Sequence, residues 1–183
     1  FNAKAGAAVV LDVKTGEVLA LANYPTYNPN DRRKLTGEQL RNRVVTDTFE
    51  PGSTLKPFTV ALALDTKRVT PDTMYETAPG FMVIGDRRIR DMHTYGVLSV
   101  SKIIQKSSNI GMAKIALPIP PQEMWEIFTK SGFGQQPKFG FPGVSRGVVL
   151  RRLRRVALLQ KEDHLVGERV GDELGPVRVL VGG

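Results

Sequence analysis

The chain has 183 residues, 41% of them hydrophobic and 24% charged, with a formal net charge of +8. That is enough for one globular domain burying about 70% of its unfolded surface. The absence of cysteine excludes disulfides and thiol chemistry, and two distant histidines, His93 and His164, give no basis for a zinc site. No apolar run reaches the length of a membrane span. The basic residues are scattered or paired, without interleaved aromatics or a nucleic-acid motif, so the charge reads as a solvated surface and no nucleic-acid partner is expected. Phe1 in place of Met suggests a fragment of a longer chain.

In chain order, residues 7–23 hold two nearly continuous apolar runs around a polar turn at Lys14-Thr15-Gly16. This predicts a β-hairpin, and the apolar arms predict strands covered on both faces within a sheet. Residues 24–52 read as a long excursion, with one short helix near Gly37–Val45. Glu50-Pro51-Gly52 then breaks the chain, and Phe58–Leu64 is apolar enough for a buried helix from about Ser53 to Lys67. Pro57 is tolerated only near the start of that helix. A strand pair is expected at Phe81–Ile84 and Arg87–Arg90, turned at Gly85-Asp86, with helical patterns from Ser99, over Met112–Leu117 and over Gln122–Ser131.

Ser53-Thr54-Leu55-Lys56 carries the first chemical signal. Residues three apart share a helix face, so the Ser53 hydroxyl and Lys56 amine can meet. A serine hydroxyl needs a neighbouring base, and a lysine serves when burial or nearby charge lowers its pKa. The spacing alone is weak, since a chain of this length yields roughly one such match by chance at average residue usage. Ser99-Val100-Ser101-Lys102 is a second copy.

A Ser-x-Asn follows about fifty residues later, in Lys106-Ser107-Ser108-Asn109. Together with Asp12–Ala20, Tyr24-Pro25, Asn28-Pro29-Asn30, Glu50–Pro57, Gln105–Gly111 and Phe139–Gly143, these motifs resemble the transpeptidase domain of class B penicillin-binding proteins, of the cell-division peptidoglycan D,D-transpeptidase type. The resemblance covers about residues 5–143. It implies an α+β fold of the penicillin-binding protein and serine β-lactamase kind: an antiparallel sheet with a helical subdomain, here without its C-terminal strands. It also implies Ser53 as the acylated nucleophile, Lys56 as its proton acceptor, Ser107 as a proton relay and Asn109 as partner of Lys56 or the substrate amide. Ser108 would contact substrate, and no metal or cofactor is called for.

The implied ligands are peptidoglycan stem peptides and β-lactams. The implied setting is the periplasmic face of the inner membrane, beside divisome membrane proteins that would meet the full-length protein. Related readings are a D,D-carboxypeptidase, a β-lactamase-like enzyme or a non-catalytic penicillin-binding remnant. The family's late Lys-(Thr/Ser)-Gly has no counterpart downstream of Asn109, because the only Lys-Thr-Gly is residues 14–16 at the hairpin turn. A weakly active or inactive fragment is therefore expected. Residues 144–183 contain no aromatic, Ile, Asn, Thr or Met and are rich in Val and Arg. They read as a basic helix with a flexible tail or, preferably, as the product of a shifted reading frame, which makes 1–143 the transpeptidase portion.

Overall fold

The computed structural model describes residues 3–137, 140–147, 149 and 181–182. Most of the Val/Arg-rich tail, and with it the expected frame shift, lies outside the described residues, as does Phe139 of the Phe139–Gly143 motif.

The chain opens with the antiparallel hairpin β1 (Gly6–Leu11) and β2 (Val18–Tyr24), in register from Gly6 opposite Tyr24 to Val10 opposite Ala20, with a shift before Leu11 meets Val18. The turn is built by Asp12. Its Oδ1 accepts the backbone N–H groups of Lys14 and Thr15, each at 2.8 Å, while its own N–H reaches Glu17 O at 2.9 Å. Gly16 closes the turn at φ +75°, a conformation that costs a residue without Cβ nothing. These amides hold the Asp12 carboxyl below the usual carboxylate range.

The expectation that both hairpin faces would be covered is not met. Among the described residues β1 and β2 pair only with each other, and Val10 and Leu19 are 53% and 62% exposed. Apolar continuity reports what a strand could bury, whereas coverage depends on neighbours that the strand does not encode.

The excursion carries two four-residue helices instead of one, α1 (Gly37–Leu40) and α2 (Arg43–Thr46). Thr36 and Gln39 form a capping box on α1. α2 lies against the hairpin, tied by Asn23, whose Oδ1 accepts Val44 N–H at 3.1 Å. Strand β3 (Thr48–Phe49) pairs antiparallel with Val181–Gly182.

A 3₁₀ turn, Gly52–Leu55, leads into α3 (Lys56–Asp65). Pro57 falls in the first turn, where a missing N–H costs no helical hydrogen bond. Past it, β4 (Met74–Glu76) pairs with β7 (Val97–Ser99), and between them β5 (Phe81–Ile84) and β6 (Arg87–Arg90) form the expected hairpin. Three helices follow: α4 (Val100–Lys106), α5 (Asn109–Ala116) and α6 (Pro121–Lys130). Thus the described residues combine a packed group of helices with small, separate antiparallel strand pairs, an α+β arrangement.

The core sits among the helices. Val60, Leu62 and Ala63 of α3 meet Val100 and Ile103 of α4, Met112, Ile115 and Ala116 of α5, and Met124 and Phe128 of α6. Phe58, Phe128 and Phe133 stack edge to face, with centroids 5.1 to 6.5 Å apart. Each large apolar side chain buried this way contributes about 1.5–3 kcal/mol. Arg68 clamps Glu123 through two hydrogen bonds, at 2.8 and 2.9 Å, joining the ends of α3 and α6. Ile89 of β6 packs on Ala113 of α5, which docks the β5–β6 hairpin onto the helix that begins at Asn109. No helix among the described residues is long and apolar enough to cross a membrane.

Candidate active site

Three segments converge: the 3₁₀ turn with the first residue of α3, the α4–α5 junction, and the end of β6. Lys56, at the first position of α3, is 9% exposed and points across to the junction. Its Nζ donates to Ser107 O at 2.7 Å, to Ser107 Oγ at 3.0 Å and to Asn109 Oδ1 at 2.6 Å. A buried amine is tolerated only when its polar contacts are met, and Ser107 O, Ser107 Oγ and Asn109 Oδ1 all lie within hydrogen-bond distance of Nζ.

Ser107 Oγ in turn donates to Ser53 Oγ at 3.1 Å. The order Lys56 Nζ, Ser107 Oγ, Ser53 Oγ is a continuous hydrogen-bonded line from a buried amine to a hydroxyl on a 3₁₀ turn. Such a line can pass a proton either way with only small movements of heavy atoms. Ser53 and Lys56 also share local backbone, since the Lys56 N–H bonds Ser53 O.

The junction gets its shape from an unusual backbone. Ser107 ends α4 in the left-handed region, at φ 54° and ψ 37°. Its N–H is still satisfied by the last turn of α4, reaching Ile104 O at 3.1 Å. The reversal presents both the carbonyl and the hydroxyl of Ser107 to Lys56. A residue other than glycine at such φ and ψ costs about 1–2 kcal/mol, which the contacts on each side must offset.

Ser108 is the N-cap of α5. Its hydroxyl accepts Gly111 N–H at 2.9 Å and donates to Asp91 Oδ2 at 2.7 Å. At 1% exposure that hydroxyl faces the interior, a placement suited to capping and not to the substrate contact expected of Ser108. Asn109 is 7% exposed; its Nδ2 donates to Arg90 O at 2.9 Å, which leaves Oδ1 for Lys56.

The structure therefore brings Ser53, Lys56, Ser107 and Asn109 together, with Ser108 directly behind them. It keeps two look-alike signals apart from this group. Ser99 caps α4, its hydroxyl accepting Lys102 N–H at 3.2 Å, and Lys102 Nζ bonds Gln105 Oε1. Lys14-Thr15-Gly16 forms the exposed turn on Asp12. Asp91 was not singled out from the sequence. An aspartate just after a strand is unremarkable by itself, and its helix lies 17 or more residues away along the chain.

Residues 6–162 match the penicillin binding protein transpeptidase domain family. The chain is 48% identical over 154 residues to a probable peptidoglycan D,D-transpeptidase PenA of Neisseria flavescens, covering 84% of this chain and 38% of that protein. It is 40% identical over 155 residues to the peptidoglycan D,D-transpeptidase FtsI of Escherichia coli K12, covering 84% and 26%. Among solved structures it resembles the transpeptidase domain of penicillin-binding protein 3 from Burkholderia pseudomallei, with a TM-score of 0.72 and 51% identity over 84% of this chain and 43% of that one. A peptidoglycan glycosyltransferase from Burkholderia ambifaria gives a TM-score of 0.74 at 52% identity, covering 86% and 46%. The chain thus spans less than half the length of each of these relatives. With the family match running through both the Ser53 and the Asn109 segments, the chain belongs to the penicillin binding protein transpeptidase domain family.

Proposed function

We propose that this chain supplies the nucleophile side of a peptidoglycan D,D-transpeptidase that cross-links stem peptides and is acylated by β-lactams. The observation that carries the proposal is the hydrogen-bonded line from Lys56 Nζ through Ser107 Oγ to Ser53 Oγ. Ser53 Oγ attacks the carbonyl of the D-Ala-D-Ala peptide bond, and Lys56 receives its proton, directly or through Ser107. The tetrahedral intermediate collapses as Ser107 returns a proton to the departing D-Ala amine, leaving an acyl ester on Ser53. Asn109 holds Lys56 in place throughout. The amine of a second stem peptide then attacks the ester, forming the cross-link and freeing the Ser53 hydroxyl. The Ser53 N–H, at the helix entry, serves as one oxyanion donor, and losing one donor of this kind typically costs about 10²–10³ in rate.

A β-lactam enters the same path. Ring opening replaces departure of an amine, so the acyl ester persists. The relatives' names support action on peptidoglycan, which favours a place on the periplasmic side of a bacterial inner membrane, with divisome membrane proteins as partners of the full-length protein.

The test is labelling of the full-length protein with a fluorescent penicillin, followed by mass spectrometry of the adduct. The expected result is a single ester on Ser53, absent in Ser53→Ala, and release of D-Ala from a D-Ala-D-Ala pentapeptide by the same wild-type protein. An adduct elsewhere, or labelling that survives Ser53→Ala, would overturn the assignment.

A further inference from the structure

We infer that Asp91 is a positioning residue for acylation: with the carbonyl of Arg90, its carboxylate clamps Asn109 so that the amide oxygen faces Lys56. The inference rests on the transpeptidase reading of Ser53 and Lys56. Asp91 Oδ1 accepts the N–H groups of Asn109 at 2.5 Å and Ile110 at 3.1 Å, the first two residues of α5. Asp91 Oδ2 accepts the Ser108 hydroxyl at 2.7 Å, and Ser108 Oγ then takes Gly111 N–H at 2.9 Å. One carboxylate thereby serves, directly or through Ser108, the first three amide donors of the helix, the end that favours negative charge.

The adjacent carbonyl completes the clamp. Arg90 O accepts Asn109 Nδ2 at 2.9 Å, and a carbonyl cannot donate, so the amide is fixed with its nitrogen toward β6 and its oxygen toward Lys56 Nζ at 2.6 Å. A flipped amide would lose the bond to Arg90 O, setting oxygen against oxygen there, and would turn its NH₂ toward the N–H groups of Lys56 Nζ. The dipeptide at the end of β6 thus holds Asn109 by both backbone and side chain. It is anchored in turn: Asp91 N–H bonds Gly80 O at 3.1 Å, and Ile89 packs on Ala113 of the same α5. A carboxylate capping a helix for stability alone would not need its neighbour's carbonyl on the side chain that meets the catalytic lysine.

The experiment measures acylation of the full-length protein by a fluorescent penicillin. The covalent rate constant is separated from the preceding binding constant in wild type, Asp91→Asn, Asp91→Glu and Asp91→Ala, with melting temperature recorded alongside. Asp91→Ala should slow the covalent step about 10–100-fold, the scale of a displacement near 1 Å, with the binding constant within about twofold of wild type, because the clamp acts on the reacting groups. Asp91→Asn keeps Oδ1 as an acceptor for both amides and should recover part of the rate. Asp91→Glu keeps the charge one methylene too far out and should be slow while remaining folded. If Asp91→Ala does not fold, Asp91→Glu decides.

A folded Asp91→Glu or Asp91→Ala that acylates at the wild-type rate would overturn the clamp. So would a loss confined to the binding constant, or an Asp91→Asn no faster than Asp91→Ala. Wild type that takes no penicillin would instead overturn the transpeptidase reading itself, which keeps the two failures distinct.

Discussion

Gly111→Ala tests whether the site depends on how closely α5 approaches α4. A Cβ added at Gly111 would lie 2.5 Å from Ile103 Cγ1 and 2.6 Å from Cδ1, against the 3.4 Å at which ordinary contact begins. Relief requires a local shift of about 0.9 Å, and Ile103 is fully buried, so it has little room to yield. Overpacking of this kind costs about 1–3 kcal/mol, while alanine in place of a helical glycine returns about 1 kcal/mol. The net stability change is then only about 0–2 kcal/mol, too small to be diagnostic.

The rate is the better readout. Gly111 is bonded to Ser108 and lies two residues from Asn109, so a movement of α5 that relieves the clash carries Asn109 away from Lys56. A displacement near 1 Å in a reacting constellation costs about 100-fold. Stopped-flow acylation by a chromogenic penicillin, with a denaturant melt, should show a large loss of rate on a nearly unchanged stability. Adding Ile103→Ala removes the clashing atoms, so the double variant should recover rate relative to Gly111→Ala alone. A single variant with wild-type acylation would refute the claim that α4–α5 packing sets the position of Asn109.

Two further outcomes follow from local geometry. Ser107 holds a left-handed conformation, so Ser107→Gly should be about 1 kcal/mol more stable than Ser107→Ala in chemical denaturation. Both should lose acylation with the hydroxyl, and a more stable alanine variant would contradict the backbone argument. At the hairpin turn, the Thr15 and Lys14 amides depress the Asp12 carboxyl. A carboxyl lowered by folding stabilises above its unfolded pKa and loses that contribution as pH falls through its folded value. The Asp12 carboxyl resonance should therefore titrate below that of free aspartate, and Asp12→Ala should remove the corresponding low-pH loss of turn structure. Titration at the free value would sink that reading.

Local signals in the sequence carried far in some places. Gly85-Asp86 placed the β5–β6 turn, Pro57 fixed where α3 could start, and the pattern of Met124, Trp125 and Phe128 marked the inward face of α6, with Trp125 only partly buried at its edge, because turn chemistry, ring constraint and helical periodicity act over a few residues. Ser53, Lys56, Ser107 and Asn109 were legible as two motifs, through resemblance more than through spacing, since Ser99 and Lys102 share the spacing and serve only as a helix start.

Tertiary structure alone decided the rest. It set the hairpin's apolar arms in the open, because a strand's pattern does not name its partner. It turned Ser108 inward and brought Asp91 onto the start of α5, across 17 residues of chain. It also arranged that Lys56 meets Ser107 and Asn109, from 51 and 53 residues away. A motif supplies the donors and acceptors; which of them face one another depends on how the elements carrying them pack.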